Sequence, residues 1–195
     1  KKGENILMVK NLINFSKQNE MKNFIYFSTI DINYSPYPIK KQIYCSSKNY
    51  CEKILRDAFK KKIFDKLIIL RLPAIVGKNG GDNFVKKTIF NLKKNLPINT
   101  WNMNIKYNNL VHVNDLNKLI YCYCKNKTKN KKVIIDCLSS SPIKLKYLIY
   151  YLKRKLKSKS KISFLYKKNK YKKIKFNPKV NFNFSTVKKA IDLLI

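Results

Sequence analysis

A chain of 195 residues is long enough for one domain with a substantial core, or for one and a half small ones, and its 45% of apolar residues is typical of a globular protein. None of its apolar runs approaches the ~20 residues of a membrane-spanning helix, so the sequence predicts a soluble folded protein. The net charge of +34 suggests nucleic-acid binding, but nearly all of it is lysine, whereas proteins that read bases rely on the bidentate guanidinium of arginine.

The first part of the chain alternates between helix and strand patterns. In chain order, apolar spacing and proline positions predict a helix over 4–19, a buried strand over 23–28, a loop over 29–40, a helix over 42–62 and a strand over 66–72. This alternation indicates a parallel α/β sheet, and such sheets bind ligands at the carboxyl ends of their strands. Thr29 and residues 73–77 occupy those ends.

After Gly81 the pattern changes to shorter, mixed elements. We predict a helix capped by Asp82 and ending near Lys94, strands near 98–101 and 109–113, a helix over 116–124 capped by Asn114 or Asp115, a strand over 132–137, a helix from Pro142 to about 157, a strand over 162–166, a basic loop over 167–175 and a terminal helix capped by Ser185. A boundary near residue 80 therefore separates a sheet layer from a mixed α+β cap.

The five cysteines are an odd number and are scattered, which favours a reducing compartment such as the cytoplasm over a disulfide framework. Cys122 and Cys124 have a poor chelate spacing, and His112 is the one histidine of the sequence. We therefore predict no metal site.

Tyr44 and Lys48 lie four residues apart on the second predicted helix, hence on one face. A phenol titrates near pH ~10, and a neighbouring ammonium lowers that pKa; about three units correspond to roughly 4 kcal/mol. Ser28 and Thr29 end the preceding strand, where a hydroxyl could hold a substrate oxygen near the tyrosine. Because the chain is rich in tyrosine and lysine, the alternative is a chance pair on a helix surface.

These residues belong to a series of motifs. In order, the series is Phe24-Ile25-Tyr26-Phe27-Ser28-Thr29, Tyr44-x-x-x-Lys48 followed by Glu52, Arg71-Leu72-Pro73-Ala74-Ile75-Val76-Gly77, Asn83-Phe84, and Val111-His112-Val113-Asn114-Asp115-Leu116. The series resembles the extended short-chain dehydrogenase/reductase superfamily, specifically its NAD-dependent epimerase/dehydratase family. The resemblance covers residues 4 to about 125, and later residues only by the order of elements.

The resemblance implies an α/β fold: the C-terminal part of a Rossmann-type parallel sheet plus a smaller mixed α+β substrate-binding cap. Residues 1–80 would be a partial NAD-binding domain and residues 81–195 the substrate-binding part. The implied activity is hydride transfer between NAD or NADP and a nucleotide sugar, of the kind used in polysaccharide biosynthesis. A homodimer would form through the helix over 42–62.

The family's functional residues carry over by position. Thr29 would hydrogen-bond the reacting sugar oxygen, Tyr44 would be the general acid/base, and Lys48 would lower the pKa of Tyr44 and bind the nicotinamide ribose. The remaining residues implied at the cofactor are Ser28, Pro73, Ala74, Ile75 and Val76, and those implied at the substrate are Asn83, Phe84, Lys106, Asn109 and His112. For His112 the alternative to a substrate contact is a structural role, because a lone histidine in an apolar strand is often structural.

The sequence also departs from the family. The family begins with a strand and a Gly-x-x-Gly-x-x-Gly turn for the pyrophosphate, so we expect this chain to be an N-terminally truncated portion without its main pyrophosphate site. Gly77, Gly80 and Gly81 follow a later strand and are predicted to form a connecting loop. Asn108 and Asn109 stand where the family often has Arg-Asp, which puts one phosphate contact in doubt.

Two other functions remain as alternatives. A degenerate, non-catalytic relative would tolerate replacement of Tyr44, although the joint presence of Thr29, Tyr44 and Lys48 argues against decay. A basic nucleic-acid-binding protein would show steep salt dependence, but the abundant Lys, Asn, Ile, Tyr and Phe are encoded by AT-rich codons, which explains the charge more simply. The sequence does not distinguish NAD from NADP, or epimerisation from dehydration and reduction.

Overall fold

A computed structural model describes residues 2–34, 36–37, 41–78, 80–125, 131–166 and 182–195. The helices are α1 (Lys2–Gln18), α2 (Gln42–Lys60), α3 (Phe84–Lys93), α4 (Val113–Lys125), α5 (Leu145–Lys155) and α6 (Val187–Asp192), with a 3₁₀ segment at Ile30–Asn33. The strands are β1 (Asn23–Thr29), β2 (Lys66–Leu72), β3 (Ala74–Val76), β4 (Ile98–Trp101), β5 (Lys106–Tyr107), β6 (Leu110–His112), β7 (Lys131–Asp136), β8 (Ile143–Lys144) and β9 (Ile162–Leu165).

The chain divides into two compact units. Among the described residues, the first unit contains the chain up to Pro73 and again 120–137, and the second contains 74–119, 138–166 and 183–195. The single boundary expected near residue 80 differs from this division. The reason is that the chain returns to the first unit, where β7 adds to the sheet beside β2.

The first unit is built on a parallel sheet in the order β1-β2-β7. Residues 67–70 of β2 are all buried, as expected for a parallel strand covered on both faces, which explains their continuous apolar run. Helices α1 and α2 pack on each other, and α2 packs on β1 and β2. Their core consists of Val9, Tyr26, Cys51, Leu55, Ala58, Phe64, Leu67 and Ile69.

In its described part, the second unit combines α3, α5, α6 and the first part of α4 with three strand pairs: β3 with β6 and β4 with β9 in parallel, and β5 with β8 antiparallel. Helices α3 and α5 each bury one face at helical spacing, which fits their amphipathic patterns. The core consists of Val76, Val85, Ile89, Leu92, Ile98, Leu110, Leu145, Leu148, Ile149, Leu152, Val187, Ala190 and Ile191.

Two helix caps differ from those predicted. Asn83, not Asp82, caps α3, because its side chain accepts a hydrogen bond from the backbone N–H of Lys86. Thr186, not Ser185, caps α6 by accepting from the backbone N–H of Lys189. Either neighbour satisfies the sequence pattern, and the capping hydrogen bonds show which residue occupies the position before each helix.

The start of α4 also differs from the prediction. The helix begins at Val113, and the carboxylate of Asp115 accepts hydrogen bonds from the N–H and hydroxyl of Ser185 at 3.0 and 3.1 Å. The side chain of Asp115 therefore ties α4 to the segment before α6, and the predicted cap by Asp115 or Asn114 is replaced by this contact.

Pro142 does not open a helix. The next two residues form β8 against β5, and α5 begins only at Leu145. Pro38 and the predicted basic loop over 167–175 lie outside the described residues. No helix in the described parts of the chain is both long and apolar enough to cross a membrane.

Candidate active site

Thr29 ends β1 with a buried side chain that caps the 3₁₀ segment. Its Oγ1 accepts a hydrogen bond from the N–H of Asp31 at 3.3 Å and donates one to Asp31 Oδ2 at 3.3 Å. The ammonium of Lys41 pairs with the same carboxylate at 2.6 Å. Asp31 and Lys41 were not predicted from the sequence, although a carboxylate two residues after a threonine is typical of a turn closed by side chains.

Lys48 connects the face of α2 that carries Tyr44 to the end of β1. Its Nζ donates a hydrogen bond to the backbone carbonyl of Phe27 at 2.8 Å and lies 4.8 Å from the ring centroid of Tyr26. The same Nζ lies 5.8 Å from the ring centroid of Tyr44. The structure thus brings Tyr44 and Lys48 to the strand end that carries Thr29.

The protonation of Tyr44 differs from the expectation. Burial, followed by the charge of Asp31, raises the pKa of Tyr44 above its ordinary value, and Lys41 opposes this increase. Burial also lowers the pKa of Lys48, whose ammonium is hydrogen-bonded to a backbone carbonyl. Tyr44 is therefore a protonated phenol at neutral pH, and the predicted decrease of its pKa by Lys48 is absent from this arrangement of the described residues.

Ser28 points to a charged group inside the first unit. Its hydroxyl donates a hydrogen bond to the carboxylate of Glu52 at 2.6 Å, and Arg71 pairs with the same carboxylate at 2.9 Å. Glu52 and Arg71 belong to the sequence motifs, but no role was predicted for either residue. The position of Glu52, four residues after Lys48 on a largely buried helix face, is the signal that could have identified a paired charge.

Residues 74–76, which the family resemblance assigns to the cofactor, form β3. Pro73 and Ala74 are half-buried, Ile75 is exposed at its side chain, and Val76 is completely buried in the second unit's core. Val76 pairs in register with His112 of β6. Only the first part of this segment therefore presents side chains to solvent.

Two segments expected near the substrate meet in the second unit. The ring of Phe84 lies 5.9 Å from that of Tyr107, so the ends of α3 and β5 are in contact. Lys106 is exposed, whereas Asn109 is half-buried and its Oδ1 has no hydrogen-bond partner among the described residues. Asn83 donates hydrogen bonds to the carbonyls of Ile75 and Gly81 at 3.3 and 3.1 Å, which links this cluster to β3.

His112 has a structural contact. It is 5% exposed, and its Nδ1 accepts a hydrogen bond from the N–H of Asn114 at 3.2 Å. This contact satisfies a free N–H in the first turn of α4. It favours the structural alternative for His112 over a substrate contact.

The glycines after β3 form a tight turn. The N–H of Gly80 donates to the carbonyl of Gly77 at 3.1 Å, and Lys86 Nζ donates to the carbonyl of Gly80. A Cβ on Gly77 would lie 2.8 Å from Val113 Cγ1, so α4 approaches too closely for a larger residue. Close packing accounts for Gly77 and the turn for Gly80, whereas a Cβ on Gly81 would meet no described atom within 4 Å. The hydrogen bonds of Gly77 and Gly80 favour a connecting loop over a phosphate site.

Comparison with known proteins identifies the family. A sequence profile of the NAD dependent epimerase/dehydratase family matches residues 2–136, well over half of the chain. The chain belongs to this family. No curated protein matches it.

Solved structures resemble this family member over nearly its whole length. UDP-glucose 4-epimerase of Thermotoga maritima, solved with UDP-glucose, has a TM-score of 0.75 at 14% identity, over 97% of this chain and 67% of its own. WbmH of Bordetella bronchiseptica, solved with NAD+, has a TM-score of 0.70 at 16% identity, over 97% and 66%. UDP-glucuronic acid 4-epimerase of Bacillus cereus, solved with UDP-glucuronic acid and NAD, has a TM-score of 0.68 at 18% identity, over 97% and 60%.

These likenesses confirm the fold: the parallel sheet of the first unit is part of a Rossmann-type α/β architecture. The chain spans only 60–67% of the length of these three structures. At such low identities the likeness establishes the fold and not the activity.

The residues of this family member can be tested against the NAD cofactor that the family implies. An ammonium has three N–H donors, and within the described part of the chain Lys48 uses one, on Phe27, which leaves two for ribose hydroxyls at the carboxyl end of β1. The residues present fit the nicotinamide ribose. Among the described residues, no Gly-x-x-Gly-x-x-Gly turn follows a strand.

Proposed function

We propose that this chain carries the acid/base and substrate-contacting residues of an NAD(P)-dependent epimerase, dehydratase or reductase that acts on a nucleotide sugar. The observation that carries the proposal is the position of Lys48, which contacts the end of β1 next to Thr29 and lies beside the ring of Tyr44. These three side chains are those on which the family's chemistry depends, and the fold alone does not require them together.

In the proposed reaction Thr29 holds the hydroxyl of the reacting sugar carbon, and Tyr44 moves the proton of that hydroxyl. The phenol of Tyr44 is the acid form at neutral pH, so it is ready to donate a proton to a developing alkoxide. Removal of a proton requires a lower pKa of Tyr44, which the positive charge of the Lys48 ammonium would favour by stabilising the phenolate. NAD(P), when bound, supplies the hydride acceptor and donor.

The second unit supplies the proposed contacts to the nucleotide sugar. Phe84 and Tyr107 present a pair of aromatic rings beside Asn83. The Oδ1 of Asn109 is buried and has no hydrogen-bond partner among the described residues, so a donor group of a substrate that enters this segment would pair with it. The related structures were solved with UDP-glucose and UDP-glucuronic acid, which supports a UDP-sugar as the first substrate class to test. A cytoplasmic location fits the five scattered cysteines.

The substitution Tyr44→Phe, made in the full-length product of the gene, tests the proposed function directly. We expect binding of NAD or NADP to persist, and turnover of UDP-sugars, followed by chromatography of the products, to fall about 10²–10⁴-fold. Tyr50→Phe is the matched control, because Tyr50 lies on the same helix with 45% exposure against 44% for Tyr44. Product identity distinguishes epimerisation, dehydration and reduction.

Two results would contradict the proposal. The wild-type protein binding neither NAD nor NADP would remove the cofactor on which the chemistry depends. Equal turnover by Tyr44→Phe and Tyr50→Phe would remove Tyr44 from the mechanism and support a degenerate relative.

We also propose a homodimer through α2 and the adjoining face of α1. Exposed apolar side chains on these helices are Leu7, Met8, Leu12, Phe15 and Ile43. Burying them against a second copy removes this surface from water. Sedimentation velocity tests the proposal: Leu12→Glu/Phe15→Glu should sediment as a monomer, whereas Leu165→Glu, at an exposed leucine of the second unit, should keep the wild-type value.

A further inference from the structure

Beside the proposed active site lies a completely buried carboxylate. Glu52 is 0% exposed and accepts hydrogen bonds from Ser28 Oγ at 2.6 Å, Arg71 Nε at 3.1 Å and Arg71 Nη2 at 2.9 Å. Removing a carboxylate and a guanidinium from water costs so much free energy that apolar side chains of similar volume are often equally stabilising. Stability alone therefore does not account for this pair.

The pair belongs to a polar row that crosses the sheet of the first unit. Ser28, Arg71 and Asp136 are neighbours in register on β1, β2 and β7. Asn33, in the 3₁₀ segment, accepts a hydrogen bond from Arg71 Nη1 at 2.8 Å and donates one to Asp136 Oδ2 at 2.9 Å. This polar clamp, made of Ser28, Asn33, Glu52, Arg71 and Asp136, joins three strands, the 3₁₀ segment and α2.

The clamp holds the same helix face that carries the acid/base pair. Glu52 lies one helical turn beyond Lys48 and two turns beyond Tyr44, so the three side chains share one face of α2. Tyr44 is about 12 Å from Glu52 along the helix axis. The bond from Lys48 to Phe27 is a second tie on this face, so the rotation and the axial position of α2 against β1 are both fixed.

We propose that Glu52 and Arg71 are positioning residues, which hold Tyr44 in register with Thr29 for proton transfer. The proposal rests on the function proposed above, and neither residue touches the reacting atoms. The bidentate fork of arginine suits this role because it fixes direction as well as distance. A misplacement of ~1 Å costs about 100-fold in rate, so a rigid tie behind Tyr44 has a direct consequence for turnover.

Glu52→Leu/Arg71→Met tests the proposal by replacing both charges with apolar side chains of similar volume. The control Asp57→Asn/Lys60→Gln removes an exposed ion pair of 3.9 Å from the same helix. Each variant is compared with its Tyr44→Phe counterpart, so that an ultraviolet difference titration isolates Tyr44 among the thirteen tyrosines. Because burial and then Asp31 raise the pKa of Tyr44, we expect this pKa to fall in the clamp variant and to stay unchanged in the control.

An unchanged Tyr44 titration in a clamp variant that is folded by circular dichroism and cooperative unfolding overturns the proposal. If the double variant does not fold, Arg71→Lys decides, because lysine keeps the charge and loses the fork. A lowered Tyr44 pKa in Arg71→Lys supports positioning, and an unchanged pKa overturns it.

The kinetic result is separate. In an enzyme with measurable turnover, the clamp variant should lower kcat about 100-fold with KM little changed. The titration needs neither NAD(P) nor substrate, so it remains informative if the wild-type chain has no turnover. Absent wild-type turnover contradicts the proposed function alone, whereas an unchanged titration contradicts the positioning alone.

Discussion

In the first unit, charged and polar side chains lie in a row across the end of the sheet. In the second unit, the core contains aliphatic side chains from three helices. In the first, Glu52 and Arg71 are paired in a fixed geometry beside the proposed acid/base residues. In the second, Leu148 and Leu152 are completely buried and pack in a cluster of aliphatic side chains. Polar networks specify geometry through direction, while apolar packing depends mainly on volume, so the two units should respond differently to matched substitutions.

The largest effect is expected where one charge of the clamp is removed. Glu52→Ala leaves the guanidinium of Arg71, whose side chain is 19% exposed, without its main partner. We expect a loss of about 3–5 kcal/mol in the free energy of unfolding, measured by urea denaturation. Glu52→Gln should also destabilise, because its amide N–H₂ would face Arg71; wild-type stability of Glu52→Gln would contradict a geometric requirement.

Leu148→Ala is the corresponding change in the second unit. The side chain is completely buried, so its truncation should cost about 2–5 kcal/mol, depending on how far the cavity collapses. Leu148→Met, which conserves volume, should cost less than about 1.5 kcal/mol in the same denaturation experiment. A large loss in Leu148→Met would show that this core needs as strict a geometry as the clamp, and the contrast between the units would fail.

A smaller effect separates the two candidate caps of α3. Asn83→Ala removes the side chain that accepts from Lys86 N–H and should cost about 1 kcal/mol. Asp82→Ala, at the exposed neighbour that the sequence suggested, should change the stability by less than about 0.5 kcal/mol. Thermal unfolding of the two variants measures these losses. A lower unfolding midpoint for Asp82→Ala than for Asn83→Ala would identify Asp82 as the cap.

The smallest effect is a pH dependence of opposite sign in the two units. Burial raises the pKa of Asp136 despite Arg71 and Asn33, so its contribution to stability is present below its ordinary pKa and is lost as pH rises through the folded value. The pKa of Asp192 is lowered because hydrogen bonds from Lys155 and Tyr151 outweigh burial. Its contribution is present above its ordinary pKa and is lost as pH falls through the folded value.

Urea denaturation from about pH 3 to 8 checks these signs. The quantity compared is the free energy of unfolding of the wild type minus that of the variant. For Asp136→Asn this difference should fall with rising pH, and for Asp192→Asn it should rise. If the two stability differences changed with pH in the same direction, the predicted contrast between a carboxylate in the clamp and one at the surface would be wrong.

Much of the fold follows from local pattern. Strands β1 and β2 and helices α1 and α2 lie where apolar spacing predicted them, because each buries one periodic set of side chains. The domain boundary could not be read in this way. Strand β7 looks like any short strand, and only its pairing with β2 assigns it to the first unit.

The candidate site was predictable as a set of side chains but not as a set of contacts. Tyr44 and Lys48 follow from helical spacing, which says nothing about the direction of an ammonium. Its bond to the carbonyl of Phe27, and the charge of Asp31 beside Tyr44, depend on tertiary packing. Asn83 and Asp82 fit the sequence pattern of a helix cap equally well, and the hydrogen bond from the N–H of Lys86 identifies Asn83 as the cap.

The late arrival of β7 bears on how the chain is made. Strand β7 leaves the ribosome roughly 60 residues after β2, and at roughly 5–20 residues per second this delay lasts about 3–12 s. Until then one edge of β2, with its apolar residues 67–70, has no strand to pair with, and unpaired apolar edges promote association between chains. Synthesis rate and chaperone supply should therefore control the yield of folded protein more strongly than its final stability does.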